Sequence, residues 1–451
     1  MAKYFGTDGF RGLVGKGITA WHAYKIGRFL GWYFGARTGD KCRAVIGKDP
    51  RLSSYTLEYS LCAGITASGG DAYILHVTTT PNVSYVARSE NFDCGIMVSA
   101  SHNPYYDNGV KLFNSQGEKM DESVVRLIEK YLDDDVNFTK KIPFATGENV
   151  GKTVDYVAGR NRYTGFLIGL SAYSFKGFKV GLDCANGSAY KIAKSVFNAL
   201  GAVVYAIGDE PNGINVNDGV GSTNVCALKN LVIEKGLDVG FAFDGDADRC
   251  ICVDECGRVR DGDCIIYALA TTLKKKNGLG DGVVATIMSN CGLKESLERQ
   301  GVAVHICDVG DRNVYLEMQK TGATLGGEQS GHVILGKIEN AGDGVATAVA
   351  VMQAMIEEKA SLTELCKGLT LYPQTIKSVR VKDKAHAVSC ANVRAVVDEI
   401  EKNMLHGRVL LRKSGTEEMV RVMVECDDLL ESERLCSIIV DAVKSADGQD
   451  V

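Results

Sequence analysis

Short apolar runs alternate with helical stretches along this chain, and one order of events recurs three times. A short apolar run leads into a polar or glycine-bearing loop, then a helical stretch, a small-residue turn and a second apolar run. The first copy is AVIGKDPR (44–51), leading through LEYSLCAGITASGG to AYILHV (72–77). The second is KVGLDCANG (179–187), leading through KIAKSVFNALG to AVVYAIG (202–208). The third is VVATIMSN (283–290), leading through GLKESLERQG to VAVHICDVG (302–310). Each copy predicts a strand–helix–strand unit of βαβ type. Such units imply sheets with parallel pairing and helices against their faces. Ligands on such sheets sit in the loops beyond the carboxyl ends of strands.

After Pro373 the pattern changes. TIKSVRVK predicts a strand, ANVRAVVDEIEKNM a helix, RVLLRKSGTEE and MVRVMVEC a hairpin, and SERLCSIIVDAVKSA a closing helix. At 451 residues the chain exceeds what one core normally supports. The expected architecture is therefore α/β: three related mixed α/β domains built on βαβ units, plus a smaller C-terminal α+β domain. The expected boundaries are 1–150, 151–252, 253–370 and 371–451.

Composition narrows the function classes. Net charge is −5, so no global field favours nucleic acid or an anionic membrane, and positive charge for a phosphate must be local. The N-terminus, MAKYFGTDGFRG, has no apolar leader, and no apolar run is long enough to span a bilayer. A cytoplasmic location is the expectation. The 15 cysteines include no CxxC pair, which fits buried thiols in a reducing compartment. Cys250 and Cys252 fall on one face of a predicted strand.

Four segments carry candidate chemistry. Val98-Ser99-Ala100-Ser101-His102-Asn103-Pro104 follows the apolar run CGIMV, so it leaves a strand end. Ser101 is a candidate nucleophile on a surface loop, with His102 beside it and Lys111 further on as an acid or base. Asp244-Gly245-Asp246-Ala247-Asp248-Arg249 lies between the strands FAFD and CICVD. Three carboxylates at alternate positions repel one another unless a cation neutralises them, and oxygen-only ligands suit a hard divalent ion. Asp244, Asp246, Asp248 and Glu255 also match an EF-hand calcium loop, but Arg249 stands where that loop requires Gly. Arg249 can compensate the triad and grip phosphate. Glu328 and Ser330, in Gly326-Gly327-Glu328-Gln329-Ser330-Gly331-His332, share a face if extended and suit paired sugar hydroxyls. Arg412-Lys413-Ser414-Gly415-Thr416-Glu417, with Arg421 on the returning strand, forms a local anion nest.

Together with GTDGFRG at the start, these motifs in this order resemble the α-D-phosphohexomutases over the full chain. The wording FGTDGFRG, VSASHNPYYDNGVK, GGEQSGHVI and RKSGTE is similar to the bacterial branch acting on glucosamine phosphates. The resemblance implies four domains, the fourth small. It implies that Ser101 is carried as phosphoserine, loaded by a kinase or by self-phosphorylation. One Mg²⁺ would be held by Asp244, Asp246, Asp248 and an oxygen of the Ser101 phosphate. Arg11 and Arg249 would balance charge at the transferring phosphoryl, with Lys111, His102 and His332 as catalytic groups. Glu328 and Ser330 would hold ring hydroxyls, and Arg412, Ser414, Gly415, Thr416 and Arg421 the phosphate that is not transferred. The implied reaction interconverts glucosamine 6-phosphate and glucosamine 1-phosphate through a 1,6-bisphosphate, with glucose or mannose phosphates as the alternative substrates. A sugar phosphate is the expected partner, a homodimer is plausible, and no nucleic acid or membrane is expected. One departure is Glu418, where the family usually has Pro; its charge would weaken the neighbouring anion site slightly.

Overall fold

The structure is a computed structural model describing residues 3–6, 8–134, 142–413 and 418–447. The chain forms two compact units: Met1–Ile287 with Ala303–Lys367, and Met288–Val302 with Gly368–Val451.

The first unit contains three sheets. The first is built from β1 (Phe10–Leu13), β2 (Arg43–Lys48), β3 (Asp71–Val77), β4 (Cys94–Val98), β5 (Asp107–Asn114) and β6 (Thr153–Asp155), in the order β1-β5-β4-β2-β3-β6. The second holds β7 (Lys179–Asp183), β8 (Val203–Ile207), β9 (Val239–Phe243), β10 (Cys250–Asp254) and β11 (Val259–Arg260), ordered β11-β10-β9-β7-β8. The third holds β12 (Val283–Thr286), β13 (Val304–Cys307), β14 (Leu325–Gly327) and β15 (Val333–Leu335), ordered β13-β12-β14-β15.

The three repeats read from the sequence are the parallel pairs β2–β3, β7–β8 and β12–β13. The structure extends each of them in the same way. A third parallel strand (β4, β9, β14) pairs with the first strand of its repeat, and then turns back into an antiparallel partner (β5, β10, β15). The serine loop, the aspartate loop and the GEQSG loop are these three turns. They occupy one topological position, used three times.

The third strands are CGIMV, VGFAF and LGG, every residue of which is buried. Continuous apolar runs of this kind are what a strand covered on both faces requires. The helices Ala20–Thr38 and Ser54–Ala67 cross at glycines, because a Cβ at Gly27 would lie 2.3 Å from the Leu61 carbonyl oxygen and one at Gly64 2.2 Å from that of Tyr24. Their inner faces bury Ile26, Phe29, Leu30, Leu57, Leu61 and Ile65 beneath the first sheet. Among the described residues, no helix is long and apolar enough to cross a membrane.

The second unit is an antiparallel sheet of β16 (Gln374–Arg380), β17 (Arg408–Lys413) and β18 (Met419–Glu425), with β18 in the centre. The helices Ala391–Asn403 and Leu429–Ala446 bury Val393, Val397, Leu435 and Ile439 with the sheet residues Val420, Val422 and Val424. A short helix, Lys384–Ser389, was not legible in the sequence; it starts where Asp383 caps the amides of Ala385 and His386. The helix Cys291–Arg299 belongs to this unit, where Glu425 accepts from the Cys291 amide (3.2 Å) and pairs with Arg408 (2.7 Å).

Candidate active site

The serine loop leaves the carboxyl end of β4. Ser101 is buried, which corrects the expectation of a surface loop. Its φ is 53°, a left-handed conformation that costs a non-glycine residue about 1–3 kcal/mol unless neighbours enforce it. Those neighbours are Ser99 in the same loop and Asp49 and Arg51 just beyond the end of β2. Ser99 Oγ accepts from the Ser101 amide (2.9 Å) and donates to Asp49 (2.7 Å). Arg51 is fully buried, with Nε on Asp49 (2.7 Å) and Nη2 on the carbonyls of Ser101 and Asn103 (2.8 Å each). Sequence reasoning missed Asp49 and Arg51. The rule that ligand sites follow parallel strands pointed to their position in GKDPR without showing what they would hold.

Ser101 Oγ donates to Asp244 Oδ2 at 2.5 Å, and His102 Nδ1 is 3.4 Å from the same hydroxyl. Burial, then Arg249 and Arg11, pushes the His102 imidazole down to about 4, so it is neutral at pH 7. The serine and aspartate loops, turns of two different sheets, thus meet at one hydrogen bond.

The aspartate loop joins β9 to β10. Its flanks are strands rather than helices, which excludes the EF-hand reading. Asp244, Asp246 and Asp248 are all buried, and one carboxylate oxygen from each lies within 4.8 Å of the others. Oδ1 of Asp246 and Oδ1 of Asp248 are buried and accept no hydrogen bond. Burial, then the charges of Asp248 and Asp246, pushes Asp244 up to about 7. Buried acceptors without donors, and mutually repelling carboxylates, fit a site that could hold a metal ion.

Basic groups surround this cluster. Lys111 Nζ contacts Asp246 (2.6 Å) and Asp248 (2.7 Å), and Thr80 donates to Asp246. Burial lowers the Lys111 pKa, but Asp246 and Asp248 more than reverse it, so the ammonium stays charged. Burial likewise opposes the Arg249 charge, and Asp244 and Asp248 restore it. Arg11, on β1, pairs with Asp8 and lies in the field of Asp246 and Asp248.

The third turn, Glu328 to His332, supplies a histidine and a carboxylate. It is a tight turn, with the Gly331 amide bonded to the Glu328 carbonyl (3.0 Å), so Glu328 and Ser330 do not share an extended face as expected. Glu328 Oε1 accepts from the Gly310 amide (2.9 Å), whereas Ser330 is exposed. His332 is buried, with Nδ1 3.8 Å from Asp248 and Nε2 3.7 Å from Asp311. Burial lowers its pKa, and Asp248 and Asp311 more than reverse it. The Gly342 amide also donates to Nε2 (3.0 Å), which places the ring proton on Nδ1, the nitrogen facing Asp248. Asp311, just past β13, was missed by the sequence; Lys119 bridges it (2.5 Å) to Asp8 (3.0 Å).

In the second unit, Arg412 and Arg421 face each other in register across β17 and β18. Ser414, Gly415 and Thr416, expected in the loop between these strands, lie outside the described residues. Glu418 is exposed and sits 3.3 Å from Lys384, which offsets its charge.

The chain matches the phosphoglucomutase/phosphomannomutase family throughout: alpha/beta/alpha domain I over residues 2–137, domain II over 155–257, domain III over 261–372 and the C-terminal domain over 377–442. A phosphoglucosamine mutase of Lachnospira eligens is 54% identical over 448 residues, 99% of each chain. One from Streptococcus thermophilus is 41% identical over 454 residues, covering both chains completely. Among solved structures, a phosphoglucomutase/phosphomannomutase family protein of Burkholderia thailandensis has TM-score 0.78 at 23% identity, over 99% of this chain and 98% of its own. The N-acetylphosphoglucosamine mutase of Aspergillus fumigatus, in complex with GlcNAc-6P and magnesium, has TM-score 0.71 at 18% identity, over 99% and 96%. At those identities the two structures speak for the fold alone.

Proposed function

The chain belongs to the phosphoglucomutase/phosphomannomutase family, and on that premise we propose that it interconverts glucosamine 6-phosphate and glucosamine 1-phosphate through a phosphoserine at Ser101. The observation that carries this reading is the bond from Ser101 Oγ to Asp244, inside a ring of Asp246, Asp248, Lys111, Arg11 and Arg249. The choice of sugar rests on the names of the bacterial relatives.

In the forward half-reaction the bond from phosphorus to Ser101 Oγ breaks and a bond to O1 of the sugar forms. The O1 proton leaves to a neighbouring base, and the departing Ser101 Oγ takes up a proton to become the free hydroxyl. The resulting 1,6-bisphosphate turns over; Ser101 Oγ bonds to the phosphorus on O6, the bond from phosphorus to O6 breaks, and O6 takes up a proton to leave glucosamine 1-phosphate. The serine proton leaves towards Asp244, to which Oγ donates, with His102 beside the same hydroxyl. His332 and Lys111 would serve the sugar oxygen. Lys111, Arg11 and Arg249 would set positive charge against the negative charge of the phosphoryl oxygens, so catalysis would be positioning plus charge stabilisation. Asp244, Asp246, Asp248 and an oxygen of the Ser101 phosphate would hold Mg²⁺, which supplies Lewis-acid stabilisation of the phosphoryl group. Glu328 and Ser330 would bind ring hydroxyls, and Arg412 and Arg421 the phosphate not in transfer.

Two measurements test this. Intact mass and peptide mapping should find one added phosphate on a peptide containing Ser101, and Ser101→Ala should remove both the phosphate and turnover. Activity of that variant within tenfold of wild type would sink the assignment. In a competition assay at equal concentrations, glucosamine phosphate should show the highest kcat/KM, with glucose 1-phosphate slower. A tenfold win for glucose or mannose phosphate would move the substrate while leaving the mutase chemistry in place.

A further inference from the structure

The serine loop is gripped from two sides, and only one grip comes from its own sheet. Arg51 reaches the Ser101 and Asn103 carbonyls from the end of β2. Asn217, in the loop following β8, reaches the same two carbonyls with Nδ2, at 2.9 and 3.2 Å. Two carbonyl oxygens can be satisfied only by a donor, so it is the amide nitrogen of Asn217 that faces them.

Asn217 is itself fixed. Its φ is 61°, a left-handed conformation that asparagine tolerates better than most residues, and its amide donates to the Ala185 carbonyl at 2.8 Å. The aspartate loop closes on the same point. A Cβ at Gly245 would lie 2.6 Å from the Ser101 carbonyl oxygen and 3.2 Å from Asn217 Nδ2. The serine loop, the aspartate loop and Asn217 therefore meet with no room for a side chain between them.

We propose that Asn217 is a positioning residue, holding the serine loop of the first sheet against the aspartate loop of the second so that Ser101 Oγ faces Asp244. The proposal rests on the reading of Ser101 as phosphoryl carrier. Asn217 acts on the geometry of transfer, because its amide is spent on the backbone of the serine loop and touches neither the aspartate carboxylates nor any group assigned to the sugar.

Two substitutions separate this role from simple folding. Asn217→Asp keeps size and turn preference but sets a carboxylate against two carbonyl oxygens. Asn217→Gly removes the amide and relaxes the left-handed backbone. Both should lower kcat by on the order of 10- to 100-fold, the sensitivity of transfer reactions to small misplacement. KM for glucosamine 6-phosphate should stay within threefold of wild type. Loading of Ser101 from glucose 1,6-bisphosphate, followed by intact mass, should slow in step with kcat. The melting temperature of the glycine variant should stay close to that of wild type. A kcat within twofold of wild type in both variants would overturn the proposal. So would a rise in KM at unchanged kcat, or a loss of activity accounted for by unfolded protein. If the wild-type protein acquired no phosphate on Ser101 while turning over, the carrier reading would fail first; if Ser101 loads normally and Asn217→Asp does too, only the positioning role fails.

Discussion

The loop between β9 and β10 buries three carboxylates, while the hairpin of β17 and β18 sets two arginines opposite each other, with Arg421 exposed. Both lie on paired antiparallel strands or the turn joining them, and both concentrate like charge. Water reaches Arg421, so the repulsion of this like-charged cross-strand pair amounts to about 0.2–1 kcal/mol. The carboxylates have no such screening. Each must be answered by a named group: Ser101 on Asp244, Thr80 and Lys111 on Asp246, Lys111 on Asp248. Even so, Asp244 is pushed up to about 7, and two carboxylate oxygens accept no hydrogen bond. Burial turns a run of charge into a preorganised site, whereas exposure leaves a hairpin that can meet an anion at little cost.

The comparison breaks most visibly at Asp246. Asp246→Asn should lower kcat by on the order of 10²- to 10³-fold, as when one preorganised electrostatic partner is lost. A chelator should stop the wild-type enzyme and Mg²⁺ should restore it, and calorimetric Mg²⁺ titration should show weaker binding to the variant. Full activity after chelation would mean that the carboxylates serve Lys111 rather than a metal.

At the exposed hairpin the effect should be smaller and fall on binding. Arg421→Ala should weaken substrate binding by about 1.5–3 kcal/mol, the range for hydrogen bonds to charged groups. The 6-phosphate and the 1-phosphate should suffer alike, because the bisphosphate turns over and either end visits this site. A defect confined to one substrate would contradict a shared phosphate site.

The smallest effect concerns a buried carboxylate away from the aspartate loop. Glu339 lies 3.2 Å from Arg88, yet burial, then the charge of Asp343, pushes it up to about 8. The folded chain holds this proton at pH values where the unfolded chain has lost it. Its contribution to stability is therefore complete below the usual glutamate value of 4.5 and is lost as pH rises through about 8. Glu339→Gln should melt like wild type at pH 5 and a few degrees higher at pH 9. Parallel melting curves at both pH values would show that Arg88 keeps Glu339 ionised throughout.

Much of this was legible locally. The parallel pairs β2–β3, β7–β8 and β12–β13, and the strands flanking the aspartate loop, follow from short apolar runs joined by helical spacing. The acidic triad and the strand-end serine stood out because charge crowding and turn chemistry are properties of neighbours in sequence. The burial of Ser101 was not legible, because its loop is polar and only a second sheet covers it. The geometry of Glu328 and Ser330 was not legible either, because their glycine-flanked segment closes into a tight turn rather than running extended.

The sequence by itself determined which segments become strands, helices and loops, and which loops carry reactive groups. Only the tertiary structure decided which of those groups meet. The bond from Ser101 to Asp244 spans 143 residues, that from Lys111 to Asp246 spans 135, and that from Asn217 to the Ser101 carbonyl spans 116. No local propensity encodes such pairs. They exist because each sheet adds an antiparallel strand at the same position, and the packing of the first two sheets brings two of the resulting turns into contact, where burial gives their charges chemical meaning.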